Sequence, residues 1–236
     1  MTSLSRATTY NNYEIVLVIP AKSDDSLISK MFSLSEKAVN VVHGGSTVNM
    51  NQYLNAGMLA ARSQYAVLLD QHCEFVDGDW LETLLGYADR ADVAAVAPIL
   101  VNEFDSLLSA GLGFSPEPHD IGLGCHRSDL GPVGMLAIAR ECYGVSTRCA
   151  LVDVAAVKSV GGFSPEFSTR LGEFDLAAKL RGNGRHAIVS PLARVRVLGD
   201  DPDMERERMA FDRRWGHQYG QDPFTRIDTR LRSERL

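Results

Sequence analysis

Three stretches of this chain hold side chains whose types and spacing can do chemistry. The first is Leu68-Leu69-Asp70-Gln71-His72, an apolar run that delivers an acid, skips one residue and delivers an imidazole. Alternate side chains of an extended backbone point the same way, so Asp70 and His72 offer an oxygen and a nitrogen to one ligand. Such a pair suits a divalent cation that bridges a diphosphate. In the plainer reading Asp70 caps a turn and His72 lies on the surface, and Asp-x-His alone does not separate the two. The second stretch, Gly172-Glu173-Phe174-Asp175-Leu176, places two carboxylates at the start of a helical run. An acid there either takes a proton from a substrate or supports a helix N-terminus, where negative charge is favoured. The third is Arg194 and Arg196, which alternate on one strand face and suit either a diphosphate or an exposed sheet face.

Weaker candidates have plainer explanations. His119, Asp120, His126 and Asp129 are irregularly spaced in a long loop and read as solvated residues rather than a metal site. Cys73 reads as a small apolar residue at a strand end. Trp80 has Leu84 four residues on, which makes a helix's core face at least as good a reading as an exposed stacking surface.

The elements that must position these residues follow from periodicity. Tyr13 to Ile19 is β-branched, closed by Pro20, and reads as a buried strand. Asp24 and Asp25 offer N-caps to a helix carrying Leu27, Met31, Leu34 and Ala38. Val39 to His43 is a short strand and Gly44-Gly45-Ser46 a turn. Met50 to Ala61 is a second helix, and Tyr65 to Leu69 the strand that ends at Asp70. A helix from Trp80 to Ala88, a strand from Val93 to Leu100 and a loop-like stretch from Asn102 to Gly134 come next. A strand at Val145 to Val152, a turn at Gly161-Gly162-Phe163, a helix at Phe174 to Leu180 and β segments from His186 to Leu198 complete the pattern. Alternating β and α segments predict an α/β fold, with a mostly parallel twisted sheet covered by helices on both faces. With 236 residues, and neither repeat nor linker, one domain over 1–236 is expected.

Composition narrows the function. A net charge of −6 supplies no basic field for nucleic acid or an anionic membrane. The arm from Arg206 to Leu236 is locally basic, with eight Arg against five acids, and reads as a solvated or frayed terminal helix. Four cysteines without a Cys-x-x-Cys pair exclude the usual zinc cluster. No apolar run approaches membrane-spanning length and no cationic leader is evident, so a reducing, cytoplasmic setting with at most peripheral membrane contact is expected.

Several ordered blocks resemble the family 2 glycosyltransferases of the GT-A fold. They are Asn55-Ala56-Gly57 with Ala60-Ala61-Arg62, Tyr65 to Asp70, Val76 to Leu81, Ser109-Ala110-Gly111, Gly161-Gly162-Phe163, Gly172 to Leu176 with Gly184, and Trp215-Gly216 with Asp222-Pro223-Phe224. The closing blocks resemble bacterial members that make surface polysaccharides, rhamnosyltransferase-like ones included. The resemblance implies a Rossmann-like nucleotide-binding half and inverting transfer from a nucleotide-sugar donor to a glycan or lipid-linked acceptor. It implies a divalent cation, Mn2+ or Mg2+, at Asp70 and His72, where the family has Asp-x-Asp. Asp70, Arg62 and Asn55 would serve the donor. Glu173 stands where the family's catalytic Asp belongs, and Asp175 is the second acid of that motif. Val197 stands where many relatives carry a metal-binding His. The best spacing matches Tyr13 to Val18 to the family's second strand, which puts the first strand upstream of Met1. An alternative takes Ile15 to Pro20 as the first strand and Val39 to Thr47 as the second. An incomplete sheet would leave an exposed edge, open to self-association as a homodimer.

Overall fold

The computed structural model describes residues 2–23, 29, 32–33, 37–45, 49–199 and 207–224. The helix expected around Leu27 to Leu34, its caps Asp24 and Asp25, and Ser46 and Thr47 lie largely or wholly outside the described residues. After a short helix α1 (Thr2–Ala7), strands β1 (Ile15–Ile19) and β2 (Val39–His43) pair in parallel as a two-stranded sheet of their own. Helix α2 (Met50–Ala60) is capped by the Asn49 side chain, which accepts from the Gln52 amide.

Among the described residues the main sheet has seven strands. Its path runs β3 (Tyr65–Leu69), β10 (Cys149–Asp153), β5 (Val93–Val101), β11 (His186–Val197) and β4 (Cys73–Phe75). Two further strands join it, β6 (Leu107–Ser109) on β5 and β9 (Arg140–Cys142) on β11. A separate hairpin pairs β7 (Leu112–Gly113) with β8 (His119–Asp120). The α/β class is as expected, but the main sheet is mixed rather than mostly parallel. Only β5 and β11 run parallel in it, and the other described ladders are antiparallel. The cause lies in the connections. β10 is reached through the long irregular stretch after β5 rather than by a helical crossover, and so returns in the opposite direction.

In a flat sheet the two ends of this path would lie roughly 19 Å apart. The link from Leu69 to Cys73 spans at most about 14 Å. The sheet must therefore curl, which brings β4 and the end of β11 back beside the end of β3.

Every residue of β5 is buried, as befits a central strand with both faces covered. On one face Ala95, Ala97, Ile99 and Val101 pack with Met58 of α2, Ala156 and Val157 of α4 (Val154–Ser159), and Leu176 and Leu180 of α5 (Leu171–Gly182). On the other, Val96 and Leu100 pack with Leu4 and with Trp80, Leu81 and Leu84 of α3 (Trp80–Ala88). Trp80 stacks on Phe75 at 4.4 Å and donates its indole N–H to Thr8, so the core reading of this residue holds.

A third cluster packs Phe114, Phe167, Leu171 and Phe174 around Phe211 of α6 (Arg208–Trp215). The basic arm is thus no frayed helix over residues 207–224. It is docked through a fully buried Phe211, and Glu207 accepts from the amides and hydroxyls of Ser168 and Thr169. No helix among the described residues is long and apolar enough to cross a membrane.

Candidate active site

The C-terminal ends of β3, β5 and β11 and the start of β10 share one edge of the main sheet, because β3 and β5 both run antiparallel to β10. Asp70 stands at this edge, where its amide donates to the Arg148 carbonyl at 2.8 Å. Its Oδ1 accepts from the His72 amide at 2.8 Å and lies 2.7 Å from His72 Nδ1. The expected juxtaposition is therefore present, and it is open: the His72 side chain is 52% exposed and that of Asp70 27%. The end of β11 braces the turn through Leu198, whose amide donates to the His72 carbonyl. Gly199 follows with φ +116°, a conformation that side-chain-bearing residues rarely adopt, against the His72 ring. Val197 sits opposite Cys73 in the ladder and is buried in the apolar cluster, so it contributes nothing polar here. Burial, reinforced by Asp70, pushes the Cys73 thiol up to about 12, and the thiol donates to the Arg148 carbonyl. It is a packing residue, as read from the sequence.

Glu173 reaches the same edge from the first turn of α5. Its Oε1 accepts from the Thr147 amide at 3.0 Å, the Thr147 hydroxyl at 2.8 Å and the Ser146 hydroxyl at 3.2 Å. Thr147 lies two residues before Cys149, and Cys149 is the ladder partner of Leu69, which precedes Asp70. Oε2 meets Nη2 of Arg170 at 3.3 Å. Burial pushes this carboxyl above its ordinary value, and Arg170 and the Thr147 hydrogen bonds pull it partly back.

Asp175 does not belong to this site. Two residues along a helix is a rotation of about 200°, so Glu173 and Asp175 leave α5 on opposite sides. The Oδ1 of Asp175 accepts from Trp215 Nε1 at 2.9 Å and Arg214 Nη1 at 3.2 Å, while Lys179 Nζ lies 2.6 Å from Oδ2. Fully buried, it anchors α6 to α5.

Two residues expected at the donor are not brought to Asp70 and His72. Asn55 spends both ends of its carboxamide on Phe163, donating to its carbonyl at 2.8 Å and accepting from its amide at 2.9 Å. A Cβ on Gly162 would fall 2.5 Å from Asn55 Oδ1, so the Gly161-Gly162-Phe163 turn exists to close against α2. Arg62 is exposed between α2 and β3, at the end of β3 away from Asp70. The intervening strand separates them by roughly 17 Å or more. Arg194 and Arg196 pair with Asp77 and Glu74 on a partly exposed face, which matches the plainer reading.

Three partners of Glu173, Ser146, Thr147 and Arg170, are absent from the sequence expectations, and Asp120 joins them through Arg170. Asp120 and His119 were read as solvated, yet both are buried in the β7–β8 hairpin. Asp120 binds Arg170 through both carboxylate oxygens, at 2.6 and 2.8 Å. The spacing of Arg170 and Glu173, three apart at a helix start, was the available signal. His126 and Asp129 are loop residues, as expected.

Among the described residues no three His, Cys, Asp or Glu side chains converge on a metal position. Asp70 and His72 still fit a cation of the Mg2+ or Mn2+ kind, which commonly takes one or two protein ligands and completes its shell with phosphate oxygens and water.

The glycosyl transferase family 2 model matches residues 1–159. The chain is 22% identical over 240 residues to the uncharacterized protein y4gI of Sinorhizobium fredii, a match covering 94% of this chain and 26% of that one. It is 24% identical over 206 residues to the O-antigen biosynthesis protein RfbC of Myxococcus xanthus, covering 82% of this chain and 15% of that one. The chain therefore spans about a quarter or less of the length of these relatives. Among solved structures, GalNAc-T7 with UDP, GalNAc and Mn2+ superposes with TM-score 0.61 at 15% identity, over 84% of this chain and 40% of that one. The mannosyltransferase PcManGT from Pyrobaculum calidifontis, in complex with GDP-Man and Mn2+, superposes with TM-score 0.56 at 16% identity, over 91% and 56%. At these identities the likeness is one of fold, and the fold is GT-A.

Proposed function

The chain belongs to glycosyl transferase family 2, and from that premise we propose that it moves a sugar from a nucleoside diphosphate to an acceptor hydroxyl with inversion. The acceptor is a carbohydrate or a lipid-linked glycan in cell-surface polysaccharide synthesis, and the setting is cytoplasmic. The observation that carries the reading is the meeting of two different carboxylates, Asp70 and Glu173, at one sheet edge, linked by the Thr147–Arg148 segment.

Asp70 and His72 would hold a divalent cation, which supplies charge to offset that developing on the departing diphosphate. Glu173 acts on the other partner. Its Oε1 is fixed by three donors, and Oε2, with one long contact to Arg170, is the oxygen left to accept the acceptor hydroxyl's proton. The hydroxyl oxygen then bonds to the anomeric carbon as the bond from that carbon to the diphosphate breaks on the opposite face.

Calorimetric titration of UDP, GDP and dTDP, with and without Mn2+, tests the donor half. Metal-dependent binding of one nucleotide is expected. A second reading, a non-catalytic GT-A-like binding module, draws support from the 6% exposure of Glu173 and from the separate β1–β2 sheet. Failure of a folded chain to bind any of the three nucleotides would favour it.

A further inference from the structure

Three charged side chains with almost no exposure meet between α5 and the β7–β8 hairpin. Arg170, immediately before α5, donates from Nη1 to Oδ2 of Asp120 at 2.6 Å and from Nη2 to Oδ1 of Asp120 at 2.8 Å. The same Nη2 reaches Oε2 of Glu173 at 3.3 Å. The three residues are 5 to 6% exposed. A guanidinium presents a planar fork that matches one carboxylate at a time. Asp120 takes that fork and Glu173 receives only a shared edge. The other groups on Glu173, from Ser146 and Thr147, are neutral donors and all address Oε1. Among the described residues, two carboxylates share this one guanidinium away from water. The less tightly paired acid is the one that takes up a proton more readily.

We propose that Asp120 is a positioning residue for Glu173: by occupying the fork of Arg170 it limits Glu173 to one shared edge of that cation and leaves Oε2 able to take a proton. The backbone fixes it in that task. Asp120 is the ladder partner of Leu112, and the next residue, Ile121, donates its amide to the Gly111 carbonyl. Two residues beyond Leu112, the Phe114 amide donates to Asp222, so the hairpin, the closing segment and Glu173 form one connected unit. The inference rests on Glu173 as the base.

The test reads the protonation of Glu173 itself, whether or not turnover is detected. Protein labelled with 13C at glutamate carboxyls is titrated by NMR, the Glu173 signal being the one lost in Glu173→Gln. In Asp120→Asn, Arg170 turns its fork to Glu173, and the midpoint is expected to fall below that of the wild type. Asp120→Glu keeps the charge and should stay near the wild-type midpoint. If Asp120→Asn does not fold, the double variant Asp120→Asn/Arg170→Gln removes both buried charges together. Fork and occupant then leave together, so its midpoint should stay close to the wild type. An unmoved Glu173 midpoint in folded Asp120→Asn, or a clearly raised one in the double variant, overturns the assignment. The transferase reading stands or falls separately, on nucleotide binding and turnover.

Discussion

Asp70 and Glu173 stand at the same edge of one sheet and are held in opposite ways. Asp70 is bonded to the next-but-one residue, His72, on a turn open to solvent. Glu173 is held from a helix by distant Ser146 and Thr147 as well as by nearby Arg170, in a place that water hardly reaches. A ligand can displace the Asp70–His72 contact at small cost, because two exposed groups recover their hydrogen bonds from water or from the ligand. Nothing displaces the Glu173 contacts as cheaply. One half of the site is therefore built to admit something, and the other is set in advance.

The comparison can be broken by substitution. The largest effect expected is on catalysis: Glu173→Gln should lower turnover by about 100- to 10,000-fold while nucleotide affinity stays at the wild-type value. Steady-state assay and calorimetry on the same preparation check both. Turnover within a few-fold of wild type would show that the buried acid is not the base.

Stability should divide the two halves next. Arg170→Ala leaves Asp120 and Glu173 as buried charges without their cation, which costs about 3–5 kcal/mol. His72→Ala removes an exposed ring and should stay within about 0.5 kcal/mol of wild type. Urea unfolding of both gives the contrast directly, and equal losses would erase the distinction drawn above.

The open half should show its role in binding. Asp70→Asn keeps the shape but removes a charge from the cation position, so Mn2+-dependent nucleotide affinity is expected to drop by about 10-fold or more, the loss that even an outer-shell partner of a metal causes. Metal-independent affinity should not change. A drop of the same size without Mn2+ would point to a direct contact with the nucleotide instead.

The two halves were also unequally legible. Asp70 and His72 are two apart on a strand, and local alternation suffices to bring them together. The helix start at Glu173 was readable for the same local reason. Its partners were not, because Asp120 lies fifty residues before Arg170 and reaches it only once the β7–β8 hairpin folds over. A His-Asp pair among glycines and prolines looks solvated in sequence, and burial by a distant element leaves no local trace. The sheet's direction was misjudged for a related reason. Strand type follows from composition, but the sense of β10 depends on the route taken by a long irregular stretch. Asn55 and Arg62 were assigned to the donor through the resemblance alone, with no local geometry to test them.

Those two residues provide the smallest expected effects on nucleotide binding and the sharpest control. Asn55→Ala strands the Phe163 amide and carbonyl and should cost about 1–3 kcal/mol in urea unfolding, with nucleotide affinity unchanged in the folded protein. Arg62→Ala should change neither quantity measurably. The arginine is exposed at the far end of β3 from Asp70. Surface substitutions of this kind move stability by no more than about 0.5 kcal/mol. A loss of nucleotide affinity in Arg62→Ala would mean that the donor lies along the sheet rather than at its edge. The open half of the site would then not be at Asp70 at all.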